Sequence, residues 1–181
     1  GTQTSPAVSS LSDGGFVVTW RDDNGSNHGG SGYDIRAQRF DVNSDPAGTE
    51  FLVNATQVSG NQYDPAVIGL KEGGFVVTWR DDDGSSHDSG SNIDVWARIF
   101  NTDGTEAVGE FRVNDTHISS NQYEPALASL SNGNFIVTWR DSGGSSHDDG
   151  TGTGSSNDVW ARIFTPDGTE VAGEFRINSY I

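Results

Sequence analysis

The chain has 181 residues, 32% of them apolar and spread so evenly that no run approaches the length of a membrane-spanning segment. Its 26 acids against 10 bases give a net charge of −16, with Lys71 the sole lysine; a nucleic-acid partner would need the opposite sign, so that class is excluded. Without cysteine or methionine, the chain has no disulfide, zinc–thiolate site or thiol catalysis.

An acidic surface of this kind suits a secreted, extracellular protein that binds cations or neutral polyhydroxylated ligands and is not inserted in a membrane. The first residue is Gly1 and no signal-like segment follows it, so the sequence reads as a processed product or an excised fragment.

Taken in chain order, the first segment is "TQTSPAVSSLSDGGFVVTWRDD" from Thr2, and it returns as "NQYDPAVIGLKEGGFVVTWRDD" from Asn61 and "NQYEPALASLSNGNFIVTWRDS" from Asn121. The segment after it is "DIRAQRFDVNSDPAGTEFLVN" from Asp34, which returns more regularly as "DVWARIFNTDGTEAVGEFRVN" from Asp94 and "DVWARIFTPDGTEVAGEFRIN" from Asp158. The chain is therefore a single domain made of three copies of a unit of about 60 residues: 2–60, 61–120 and 121–181.

In the second copy the strand-like segments are Pro65–Leu70, Gly74–Arg80, Asp94–Phe100 and Glu110–Asn114, separated by glycine-bearing turns. No stretch sustains a 3.6-residue apolar period, so helix is not expected. Phe75, Val77 and Trp79 alternate with Val76 and Thr78, and Val95, Ala97 and Ile99 alternate with Trp96 and Phe100. Apolar groups on both faces belong to sheets covered on both sides.

The expected fold is all-β: three tandem four-stranded antiparallel sheets with internal pseudo-threefold symmetry, arranged as propeller blades or as a β-prism. Propellers use about four to eight blades, so true blades would imply a homo-oligomer.

The string Q-x-x-P-A-[VL]-x-x-L-x-x-G-x-F-[VI]-V-T-W, followed by the "DVWARIF" strand and "G-x-E-F-R-[VI]-N", resembles the tandem β-repeat of large secreted bacterial surface proteins. The resemblance spans essentially the whole chain and implies propeller-like modules with adhesive or binding roles. A small protein built of such units is also similar to lectins of marine invertebrates such as sponges. Arg and His stand in every copy of the loop after the Trp, where that family's repeat is rich in Gly, Asp and Gln.

Those loops, 22–33, 81–93 and 141–157, exceed the usual hairpin length of about two to five residues, and long loops tend to be functional. The same residue types recur in them: Arg21, Arg80 and Arg140; Asp22, Asp81 and Asp141; Ser26, Ser85 and Ser145; His28, His87 and His147; and, opening the next strand, Asp34, Asp94 and Asp158.

Carbohydrate binding is the first reading. Asp accepts sugar hydroxyl protons, Arg and His donate to sugar oxygens, and an aromatic ring covers the C–H face. Single shallow sites are weak, and three of them together gain avidity by a factor on the order of 10² to 10⁴. Glycans or glycoproteins are then the partners.

Calcium is the second reading. Asp81-x-Asp83-Gly84 resembles the opening of an acidic calcium loop, although Asn92 stands where an EF-hand places its bidentate Glu. This would make the chain a calcium-stabilised structural or adhesion module of a larger extracellular protein.

The third reading is structural. Each Arg would pair with Asp34, Asp94 or Asp158 across its hairpin, and Asn54, Asn114 and Asn178 would satisfy turn backbone. Trp20, Trp79 and Trp139 end an apolar alternation and read as core; Trp96 and Trp160 have Arg36 as their counterpart in the first copy. Catalysis is not expected, because an active site is normally built once from non-equivalent elements. The chain also lacks a G-x-S-x-G elbow, an H-E-x-x-H motif and a P-loop.

Overall fold

The computed structural model describes residues 1–23, 32–56, 60–82, 93–116, 120–143 and 157–178. Twelve strands and no helix occur among them. Sheet 1 contains β1 (Gln3–Ser10), β2 (Phe16–Asp22), β3 (Asp34–Phe40) and β4 (Phe51–Leu52). Sheet 2 contains β5 (Gln62–Gly69), β6 (Phe75–Asp81), β7 (Asp94–Phe100) and β8 (Glu106–Arg112). Sheet 3 contains β9 (Gln122–Ser129), β10 (Phe135–Asp141), β11 (Asp158–Phe164) and β12 (Glu170–Arg176). Each sheet is an antiparallel meander in sequence order, with propeller-like stacking of the three.

The expected strands of the second copy are present with shifted ends. The first begins at Gln62, ahead of Pro65, because a register shift between Tyr63 and Ala66 lets the ladder pass the proline. The fourth begins at Glu106, because Glu106 pairs with Phe100 and Val108 with Ile99 before Phe111 reaches Ala97.

The sheets stack through two unlike faces. On sheet 2, Val67, Phe75, Val77, Trp79, Trp96 and Phe100 form a front that packs with Val17, Ile35, Ala37 and Val53 of sheet 1. Its back, with Val76, Val95, Ala97, Ile99 and Val113, packs with Phe135, Val137, Trp139, Trp160 and Phe164 of sheet 3. Trp79 lies opposite Trp96, and Trp139 opposite Trp160, so both indoles of each pair share the front face and are buried. In sheet 1 the pair is Trp20 with Arg36, and Arg36 is held by Asp22 and Glu50, each at 3.0 Å.

First strands run against one another: β5 packs on β1 and β9 on β5. The approach is close, since a Cβ on Gly69 would stand 2.2 Å from the Ser10 carbonyl oxygen.

A polar clamp closes each sheet junction. Asn54 accepts from the Ile35 amide at 2.7 Å and donates to Asp34 and to Gln62 Oε1, each at 3.0 Å. Gln62 then donates to Asp81 at 3.3 Å. Asn114 repeats this with Val95 (2.7 Å), Asp94 (2.7 Å) and Gln122 (3.1 Å), and Gln122 donates to Asp141 at 3.4 Å. Each asparagine thus bridges two sheets and binds strand backbone, where turn backbone was expected. Asn54-Ala55-Thr56 and Asn114-Asp115-Thr116 have the N-x-T form of a glycosylation acceptor, but both asparagines are fully buried and engaged in these bonds.

Arginines add a second tie: Arg98 donates to the Val53 carbonyl and Arg162 to the Val113 carbonyl, both at 2.7 Å.

The hairpin turns at the opposite end rest on aspartates. The Asp103 carboxylate accepts from the Thr105 hydroxyl at 2.6 Å and the Thr105 amide at 2.9 Å, and these bonds hold its pKa below the ordinary 3.8. Asp167 is lowered by Thr165 and Thr169, and Asp41 by the Asp45 amide first and then by Asn43.

Two expectations follow. Asn114→Ala removes buried hydrogen bonds to the Asp94 carboxylate, the Gln122 side chain and the Val95 amide, and lowers the unfolding free energy by roughly 3 kcal/mol; urea denaturation of the variant against wild type measures it. The three turn carboxyls bind protons less readily folded than unfolded, so their contribution is complete above about pH 4 and fades as pH falls through the depressed folded values. The triple variant Asp41→Asn, Asp103→Asn, Asp167→Asn keeps the acceptor oxygens, and its melting temperature should fall less between pH 4 and pH 2.

Candidate functional site

The loop end of the sheets gathers the recurrent charged residues into two layers. The inner layer is carboxylate. Asp22 lies opposite Asp34, Asp81 opposite Asp94 and Asp141 opposite Asp158, each pair closing the second and third strands of its sheet. Five of these six aspartates are buried, and Asp94 is nearly so. They belong to the clamps: Gln3 donates to Asp22 at 3.1 Å, Asn178 to Asp158 at 2.8 Å, and Ser120 to Asp141. Arg112 and Arg176 stand 3.9 Å from Asp94 and Asp158. These carboxylates are therefore engaged in structure.

The outer layer is a row of stacked guanidiniums and phenols. Arg21 lies over Tyr33 at 4.5 Å and Tyr63 at 5.3 Å. Arg80 lies over Tyr63 at 4.4 Å and Tyr123 at 5.3 Å, and Arg140 over Tyr123 at 4.5 Å. Each of Arg21 and Arg80 is held by tyrosines of two successive sheets. Tyr63 and Tyr123 come from first strands, where sheet 1 has Thr4; Tyr33 supplies the missing ring from the end of the loop. The arginines thus stack on tyrosine, and the expected pairing with Asp34, Asp94 and Asp158 falls to other residues.

Beside the row stand two acids the sequence reading passed over. Asp64 is 3.3 Å from Arg80 and Glu124 is 3.3 Å from Arg140, with side chains 43% and 69% exposed. Each occupies a left-handed backbone conformation, φ 53° for Asp64 and 55° for Glu124, with Ser5 at 53° in sheet 1. The conformation coincides with the register shift of the first strand, a bulge that turns the side chain from the ladder onto the guanidinium. The repeated "QYDP" and "QYEP" were the available signal.

Ser26, His28, Asp83, Ser85, His87, Ser145 and His147 lie outside the described residues. Of the proposed calcium pair, Asp81 sits in the buried clamp. No cluster of three metal-binding side chains occurs among the described residues.

Away from this end, a groove of about 480 Å³ runs between sheets 2 and 3. It is lined by Trp96, Phe111 and Phe164 with Arg112, Asp115 and Arg162, and its arginines are engaged with Asp94, Asp115, Glu170 and the Val113 carbonyl.

No protein-family model and no curated protein sequence matches the chain. Solved structures do. A thermostable family-43 glycoside hydrolase superposes with a TM-score of 0.56 at 10% identity, covering 99% of this chain and 55% of the other. An endo-arabinase from Bacteroides thetaiotaomicron gives 0.57 at 12% identity over 96% of this chain and 61% of the other. An α-L-arabinofuranosidase variant from Fusarium graminearum, bound to an iminosugar inhibitor, gives 0.54 at 12% identity, with 98% and 67% covered.

At such identities the likeness is one of fold, and this chain spans about 55–67% of the neighbours' length. It overturns the expectation that the chain is not an enzyme. That expectation rested on repetition, yet the proteins sharing this scaffold are glycoside hydrolases, so repeated sheets are no argument against catalysis.

Burial pushes the Tyr63 phenol above its usual 10.0; Asp82 and Tyr33 push the same way, against the pull of Arg80 and Arg21. Spectrophotometric titration of wild type minus Tyr63→Phe should therefore show a phenolate midpoint above pH 10. A midpoint below 10 would mean the stacked guanidiniums outweigh burial.

Proposed function

We propose that the protein recognises carbohydrate at the loop end of its sheets, as a multivalent lectin-like protein acting outside the cell. The observation that carries this reading is the repetition of one exposed unit, a carboxylate held against a guanidinium that is itself stacked on tyrosine: Asp64–Arg80–Tyr63 and Glu124–Arg140–Tyr123. Such a unit suits a polyol. The carboxylate accepts two hydroxyl protons, and the guanidinium keeps edge N–H groups to donate while its face is occupied.

Guanidiniums lie over Tyr63 from its own sheet and the preceding one, so a sugar would meet this ring at its hydroxyl edge. His28, His87 and His147, which the sequence sets between the second and third strands of each sheet, are the candidate further donors. The scaffold's kinship in fold with sugar-cleaving enzymes, one of them holding an iminosugar, agrees with a polyhydroxylated ligand.

A glycan array, extended with arabino-oligosaccharides and read with and without a chelator, tests this. Wild type should retain a defined glycan set. The pair Asp64→Ala, Glu124→Ala should lose about tenfold or more in avidity with its circular dichroism unchanged, because each weakened site multiplies through the others. Undiminished avidity would remove the row from the account. Release of free sugar from the same glycans would make it a hydrolase site. Calcium stabilisation with no glycan retained would favour the adhesion module.

A further inference from the structure

Three sheets leave two faces without a neighbouring sheet, and each matches a face that is buried inside the molecule. The back of sheet 3 repeats the back of sheets 1 and 2 position by position. Ile35 and Val95 are fully buried where Val159 is 39% exposed, and Val53 and Val113 are fully buried where Ile177 is 52% exposed. Phe175, 37% exposed, follows Phe51 and Phe111, which pack against the two cores. The front of sheet 1 likewise repeats the other fronts. Val8 is 66% exposed where Val67 is buried, and Phe16, Val18 and Trp20 are half-buried where Phe75, Val77 and Trp79 are completely buried.

The polar clamp is divided in the same way. Asn178 holds Asp158 at 2.8 Å and the Val159 amide at 2.8 Å, as Asn54 and Asn114 hold their counterparts. Among the described residues no glutamine of a following sheet bonds it. Gln3 holds Asp22 at 3.1 Å, as Gln62 holds Asp81, and among the described residues no asparagine of another sheet bonds it.

We infer that two copies of this chain associate head to tail, the back of sheet 3 in each covering the front of sheet 1 in the other, to close a six-sheet ring. The occupant is a second copy because the exposed back is the partner surface that the exposed front already has twice within the molecule, in apolar residues and in the Asn-to-Gln clamp. The number two follows from closure. A head-to-tail contact either closes into a ring or propagates, and propellers close with about four to eight sheets. One copy falls short of that range, two fall within it, and three exceed it.

The junction between copies is weaker than those within. Gln38 stands where Arg98 and Arg162 reach across to a backbone carbonyl, and Arg36 stands where Trp96 and Trp160 fill the front. Two chains of charge −16 also repel, so salt should strengthen the association.

Sedimentation equilibrium of the 181-residue chain over a micromolar range, at low and moderate salt, is the test. The expected result is a species of twice the 19.3 kDa chain mass, more populated at the higher salt. Ile177→Asp and, separately, Val8→Asp should each return a folded species of single-chain mass, because each charges one side of both junctions. Val42→Asp, at an exposed apolar position in a hairpin turn, should leave the doubled mass unchanged. A wild type of single-chain mass throughout, a mass beyond two chains, or a doubled mass that survives both face variants would each overturn the closed ring. Circular dichroism of both face variants guards against a trivial loss of fold.

Discussion

The stack depends on one packing constraint: a four-stranded sheet with apolar groups on both faces is costly to leave with those faces in water. The unit answers it with faces of different character. Its front carries bulky rings, Phe75, Trp79, Trp96 and Phe100, and its back carries smaller groups, Val76, Val95, Ala97 and Val113. Large groups fill what small ones leave, so one sheet's back is the natural cover for the next sheet's front, and interior density is reached with the same residues at each junction. Repetition of one sequence is therefore a way of making a self-complementary stack.

Apolar faces alone would let sheets slide or rotate against each other. Asn54 and Asn114, just past the fourth strands of sheets 1 and 2, remove that freedom, because each amide meets a backbone N–H, an aspartate of its own sheet and a glutamine of the next. Buried polar groups left without partners are costly, so the arrangement that satisfies all of them is strongly preferred over near alternatives. The recurring Asp, Asn and Gln, which in a sequence look like loop chemistry, act mainly as registration pins.

This explains which features were legible beforehand. Strand positions and the all-β class followed from alternation within one strand, a local property. Sheet order followed from repetition. The two layers of charge at the loop end did not, because side-chain partners there come from other sheets. Arg80 was singled out by its recurrence, yet its ring partners are Tyr63 of the first strand and Tyr123 of the next sheet, which no spacing rule within the loop could reveal. Asp81 and Asp94 look identical in sequence to surface ligands, and only the neighbouring glutamine and asparagine show that they are structural. The long loops carrying the histidines share no such cross-sheet signal in sequence at all.

The left-handed residue before each first-strand proline separates scaffold from function at this end. Holding a non-glycine residue there costs on the order of 1–3 kcal/mol, and the cost is met in all three sheets, at Ser5, Asp64 and Glu124. Were the strain maintained for the carboxylate, it should vanish where the carboxylate does. It persists at Ser5, so the bulge belongs to the fold, as the device that carries a proline through a first strand. The acids at 64 and 124 are then additions to a conformation already fixed. A side chain whose backbone is constrained for other reasons, and which leans on a guanidinium stacked on tyrosine, loses little further freedom on meeting a ligand. On the proposed reading, the carboxylates that would meet a ligand are those of Asp64 and Glu124, and sheet 1, with Ser5 in their place, would be the poorest of the three positions.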